Sequence, residues 1–188
     1  MKPSRAQIFL AIGIFLANPI SILAEPTVGQ IYRISLTNVD GASASTADGR
    51  VTTFVLVSKA NVDKAREVGD RIPNFCLGNP DYRMITVVVF ETQHSGPVRA
   101  FLTSVMRGRV NSEGKRLQAR YDQLKIAQDA RPNVFVAADF DGAIAAQLDA
   151  KPSASLFRVF IFRKNGELRK QWSDVPAAEE LAAALKEN

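Results

Sequence analysis

The chain has 188 residues, 46% hydrophobic and 23% charged, ordinary proportions for one soluble globular domain with a sizeable core. Its formal charge of +5 falls to +3 when the leader cations Lys2 and Arg5 are set aside, too small an excess for a nucleic-acid-binding face. With Cys76 as the only cysteine, an internal disulfide is excluded.

Lys2 and Arg5 precede the uncharged apolar run Ile8 to Leu16, which Asn18-Pro19 interrupts before Ile20 to Ala24. This pattern predicts a secretory signal peptide over residues 1–24, cleaved after the small residue Ala24. The protein is then periplasmic or secreted, with a single domain over 25–188. The competing reading is an uncleaved anchor, which ordinarily needs about 20 continuous apolar residues. No cysteine follows the run, so a lipid-modified cysteine is not expected.

Ile31 to Leu36 alternates apolar and polar residues and predicts a half-exposed strand. Asn38-Val39-Asp40-Gly41 and Ala47-Asp48-Gly49 predict tight turns. Val51 to Val57 is rich in β-branched residues and apolar on both faces, as a central strand covered on both sides should be. Ala60 to Ile72 follows with apolar residues at helical spacing, and Pro73 ends it. Met84 to Phe90 is a second buried strand. A loop, Gln93 to Pro97, then opens a helix whose apolar face is Val98, Phe101, Leu102, Val105 and Met106. Asn111 to Gly114 is expected to bend or break that helix before Leu117, Tyr121 and Leu124 continue it. Val134 to Ala138 predicts a third strand, Ala143 to Leu148 a short helix, and Leu156 to Phe162 a fourth strand. An Asn165-Gly166 turn leads to the partner strand Leu168 to Trp172. Asp174 is expected to cap the last helix, Ala177 to Lys186.

The order is thus a β-hairpin, then three β/α units, then ββα, which implies a mixed sheet with helices on both faces. Three segments carry a resemblance. They are ISLTNVDGASASTADGRVTTFVLV, VFVAADFDGAIAAQLDA and FRVFIFRKNGELRKQW, which together span most of residues 29–188. They resemble the thioredoxin fold, more narrowly its peroxiredoxin-like and thiol-specific-antioxidant-like members. The resemblance implies an α/β three-layer sandwich with a central mixed sheet and an N-terminal β-hairpin. It also implies where chemistry would sit, and there the chain departs from the family. Members with dithiol activity carry Cys-x-x-Cys just after the strand that Val51–Val57 matches, where this chain reads Ser58-Lys59-Ala60-Asn61. The peroxidatic cysteine near the same helix start is missing too. The cis-proline expected just before the strand Leu156–Phe162 has no counterpart closer than Pro152.

Cys76 follows the end of a helix, between Phe75 and Leu77, and reads as a small packed hydrophobe or else as a single reactive thiol. In a parallel sheet the carboxyl ends of the strands meet helix N-termini, so ligands gather at that edge. Ser58, Lys59, Asn61, His94, Asp139 and Asp141 all fall there. Lys59 with Lys64 suits an anion near a helix start, or is a solvated pair. Asp139 and Asp141 suit a hard cation, or Asp141 caps the next helix while Asp139 satisfies the turn. His94 is a lone histidine with no obvious partner. The basic stretch Arg107, Arg109, Lys115, Arg116 and Arg120 reads as a solvated helix face, and Trp172 as an edge-packing aromatic. Cys76 is predicted to lie away from the edge cluster, because it precedes its strand.

These residues support an exported, non-catalytic binding or assembly protein of the cell envelope. It would act on a protein partner, need no cofactor or metal, and touch the membrane only through an uncleaved leader. The alternative is a single-cysteine thiol oxidoreductase or peroxidase-like enzyme using Cys76. A third reading places hydrolysis or metal-assisted chemistry on Ser58, His94, Asp139 and Asp141.

Overall fold

The computed structural model describes residues 25–186, so the expected leader over 1–24 lies outside the described residues. Two short strands come first, β1 (Ser35–Thr37) and β2 (Ser43–Ser45), paired antiparallel as a separate small sheet. The strand expected over Ile31–Leu36 is therefore shorter and later. Ile31 makes only an isolated bridge to Glu167. Asn38 makes the turn between the two strands by accepting from the N–H groups of Asp40 and Ala42, at 3.0 and 2.8 Å.

The central strand β3 (Val51–Ser58) is buried along its whole length. A single 3₁₀ turn, Lys59–Asn61, leads into α1 (Val62–Arg71), two residues later than the apolar spacing suggested. After Pro73 a second 3₁₀ turn, Asn74–Cys76, precedes β4 (Tyr82–Val89), then α2 (Gly96–Gln123) and β5 (Phe135–Asp139). The short helix α3 (Ala143–Ala146), the hairpin β6 (Phe157–Phe162) and β7 (Leu168–Trp172), and α4 (Ala178–Lys186) complete the chain. The sheet order is β5-β4-β3-β6-β7. Strands β3, β4 and β5 run parallel, whereas β6 and β7 add an antiparallel edge.

Both crossovers, β3 to β4 and β4 to β5, step the same way across the sheet. Right-handed connections therefore place α1 and α2 on one face. Val51, Val55 and Val57 pack there against Ala65 and Val68 of α1 and Leu181 and Leu185 of α4. On the same face, Val88 meets Met106 and Val110 of α2. Phe54 and Leu56 point the other way, into a core with Leu36, Ala44, Ala145 and Leu148. Helices thus lie on both faces, with the small β1–β2 sheet sharing the α3 side.

Two expectations about the helices are corrected. Asn111–Gly114 does not break α2, which runs unbroken for 28 residues. Gly114 is there for close approach: a Cβ on it would stand 2.7 Å from Arg131 Cδ and 3.3 Å from Arg131 Cα. Asp174 does not cap α4. It accepts from its neighbour Val175 N–H and pairs with Lys64 at 2.9 Å, while Glu180 reaches back to Ala177 N–H as half a capping box.

Helix α2 also outreaches the sheet beneath it. Its 28 residues span about 42 Å, against roughly 25 Å for the eight-residue β4. The overhang shows in exposure. Of its predicted apolar face, Met106 is buried, Leu102 is half-buried, Val98 and Val105 are exposed, and Phe101 is 67% exposed.

Candidate functional site

At the carboxyl edge Ser58 ends β3 and is 1% exposed, paired with Val89 of β4 on one side and donating its N–H to the Leu156 carbonyl just before β6 on the other. Its Oγ donates to the carbonyl of Ala154 at 2.7 Å. Asn61, one turn on, donates through Nδ2 to Ser58 Oγ at 3.2 Å and to the carbonyls of Ala154 and Leu156 at 3.2 and 3.3 Å. These two side chains therefore hold the loop that enters β6. Lys59 between them is exposed.

Asp139 and Asp141 are separated by use. Asp139 is buried, and its Oδ2 accepts from Ile144 and Ala145 N–H at 3.0 and 2.8 Å, capping the short helix α3. The capping role expected of Asp141 thus belongs to Asp139. Asp141 is exposed and clamped by Arg99, whose Nη1 lies 3.0 Å from Oδ2. That hydrogen bond holds its carboxyl below the usual carboxylate range. Among the described residues no group of three or more His, Cys, Asp and Glu side chains converges to hold a metal ion.

His94 sits beside this clamp. Arg99 Nε donates to the His94 carbonyl at 2.8 Å. The imidazole meets Phe90 edge-on at 5.3 Å, and Phe90 stacks on Phe140 at 4.7 Å. His94 Nδ1 is buried without a hydrogen-bond partner. The fold therefore brings Ser58 and Asn61 into one group and His94 and Asp141, through Arg99, into another. Among the described residues no hydrogen bond or ion pair joins the two groups.

Cys76 lies on the other side of the sheet's length. It closes the turn before β4, whereas His94 follows the end of that strand, so the strand alone sets them roughly 25 Å apart. The thiol is 7% exposed within the α1–α4 core, and burial pushes its pKa up to about 12. A thiol so buried is almost wholly protonated at neutral pH, and the thiolate is the nucleophile.

The basic stretch of α2 is not merely solvated. Arg116 pairs with Asp70 of α1 at 2.5 Å and with Glu113 at 2.9 Å, and Arg66 of α1 pairs with Glu113 at 2.8 Å. Arg120 donates to the carbonyls of Gly69, Asp70 and Ile72, and Arg107 to that of Val39. Burial alone would raise the Glu113 pKa, but hydrogen bonds from Arg66 and Arg116 hold it below its ordinary value. The ties of Arg66, Arg116 and Arg120 close the half of the α1–α2 seam nearer the amino ends of the strands, whereas Arg107 fastens α2 to the turn between β1 and β2. The sequence signal for them was the regular arginine spacing on α2, whose partners are Asp70 and backbone carbonyls of α1 together with Glu113 on α2 itself.

No family model matches the sequence, and no curated protein does. The structure is similar to that of a secreted thiol-disulfide isomerase from Corynebacterium glutamicum, at 9% identity and a TM-score of 0.56, covering 89% of this chain and 92% of that one. It is also similar to the pneumococcal exposed lipoprotein thioredoxin of Streptococcus pneumoniae, at 16% identity and a TM-score of 0.55 over 83% of this chain and 99% of that one. A DsbF homologue from Corynebacterium diphtheriae matches at 12% identity and a TM-score of 0.51, over 91% and 96%. These likenesses show the fold to be thioredoxin-like.

Proposed function

We propose that this chain is a thioredoxin-fold binding protein of the cell envelope that performs no thiol chemistry. One observation carries the reading. Where thiol-active members of the fold place their cysteines, Ser58 and Asn61 are committed to holding the loop before β6, and the only thiol, Cys76, is buried roughly a strand's length away. The apolar leader supports export, as do solved neighbours described as secreted or exposed. The closer placement among peroxiredoxin-like members rests on the entry segment and the closing Asn165-Gly166 hairpin.

The test is labelling of Cys76 by a thiol reagent, with insulin reduction as a parallel assay. Labelling is expected to be slow in the native protein and fast in guanidinium, with no insulin reduction above the dithiothreitol background. Fast native labelling would return the single-cysteine oxidoreductase reading.

A further inference from the structure

A cavity of about 1030 Å³ runs beneath α2, at the upper end of the roughly 300–1,000 Å³ usual for small-molecule sites. On the sheet side it is lined by Thr86 and Val136 and on the helix side by Leu102 and Val105, with the buried contact of Val88 with Met106 and Val110 at its back. It follows β4 from Tyr82 to Phe90, so it is elongated, roughly 25 Å from end to end.

The two halves differ. Toward the amino ends of the strands the seam between α1 and α2 is closed by Arg66–Glu113, Arg116–Asp70 and the Arg120 hydrogen bonds. Those ties advance together along both helices, so the helices run parallel. One turn before Glu113 stands Arg109, and one turn before Arg66 stands Val62. Beyond them come Val105 and Phe101 on α2 and Lys59 at the entry to α1, all lining the cavity. Among the described residues no ion pair or hydrogen bond joins the two helices there, so the carboxyl-edge half is the mouth. Among the described residues neither Lys59 nor Arg109 has an acidic partner. Beside them Phe101 and Val105 leave apolar surface in water, as binding grooves do.

We propose that this groove binds a single-chain amphiphile with an anionic head. The chain lies beneath α2 along β4 and β5, and the head rests at the mouth between Lys59 and Arg109. An apolar floor and roof exclude water from the chain, while the two unpaired cations supply charge-assisted hydrogen bonds to a carboxylate or phosphate. A partner's helix, about 10 Å across with its side chains, would have to break the ties that close the inner half; a linear hydrocarbon chain would not. The proposal deepens the reading of this chain as a binding protein and rests on it.

The test is displacement of the fluorescent fatty acid cis-parinarate from the purified chain. The competitors are palmitate, lyso-phosphatidylglycerol, hexadecanol and hexadecyltrimethylammonium. Palmitate and the lysolipid are expected to compete in the micromolar range, the alcohol about tenfold more weakly and the cation least. Stronger competition by the lysolipid would assign the chain to a phospholipid source, and stronger competition by palmitate to a free fatty acid.

The Lys59→Glu/Arg109→Glu variant should lose about tenfold for palmitate and nothing for hexadecanol. Val136→Trp, filling the floor, should abolish both. Should that variant fail to fold, Phe101→Ser changes a side chain that is 67% exposed, and should weaken palmitate severalfold with an unchanged melting temperature. Equal affinity for acid, alcohol and cation would overturn the proposal, as would no competition by any chain. So would a dimer that Phe101→Ser separates, since a second copy would then cover the mouth. The thiol assay is independent: fast labelling of Cys76 overturns the binding-protein reading, while failure of every chain overturns the ligand alone.

Discussion

Removing the Ser58 hydroxyl tests whether the corner that carries chemistry in thiol-active relatives is structural here. Ser58→Ala loses the bond from Oγ to the Ala154 carbonyl at 2.7 Å and the one received from Asn61 at 3.2 Å. The Ala154 carbonyl keeps Asn61 Nδ2, and the Leu156 carbonyl keeps the Ser58 N–H at 2.9 Å. No buried acceptor is therefore orphaned, and the cost is the net worth of a hydrogen bond, about 1 kcal/mol, rather than a full desolvation penalty. Asn61→Ala, by the same accounting, costs about 1 kcal/mol. The double variant leaves Ala154 without a side-chain donor, but Ala154 is exposed and water replaces it. The coupling should therefore be small, about 0.5 kcal/mol of extra destabilisation. For a domain of this size each kcal/mol is worth about 2–4 °C in melting temperature. Urea unfolding followed by circular dichroism measures all three variants. Single variants whose stability matches the parent's would refute the structural reading and free both side chains for a ligand.

In envelope fractions the protein should begin at Glu25 or a close neighbour by N-terminal sequencing, and Met1 on that material would favour the anchored form. Gly114→Ala should destabilise by about 1 kcal/mol, because the push on Arg131, tied to Asn111 and Asp40, outweighs the helix-propensity gain of about 1 kcal/mol; a stabilised variant would show that the contact gives way. Glu113 has a lowered pKa, so its contribution is present above its ordinary 4.5 and lost as pH falls through the folded value. Glu113→Gln should accordingly cost up to about 1 kcal/mol at neutral pH, with the gap to the parent closing below about pH 4.5 in acid-unfolding curves.

The fold was legible where pattern and burial agree. The run Val51–Val57 is apolar on both faces because strands flank it and helices cover it, and the structure buries all of it. The hairpin at Asn165-Gly166 was equally plain. What the pattern missed depends on contacts between distant segments. Gly114 looked like a helix breaker, yet it is a contact point for Arg131, and glycine at a close approach carries the same letter as glycine at a break. Asp139 and Asp141 are two residues apart, and only the path of the turn decides which reaches the N–H groups of α3.

The site was harder to read for a related reason. Topology gathers residues at the carboxyl edge, but hydrogen-bond supply decides what they do, and the loop before β6 presents carbonyls that take up Ser58 and Asn61. Lys59 points elsewhere, and its significance comes from α2. A helix of about 42 Å on strands of roughly 25 Å must overhang. Once arginines fasten its far half to α1, the near half buries Met106 but leaves Val98, Phe101 and Val105 in water. The apolar spacing of Phe101, Leu102, Val105 and Met106 announced a buried face. It did not announce that only part of that face would find the sheet, because helix length and strand length are set by separate stretches of sequence. The mismatch between them is what shapes the groove.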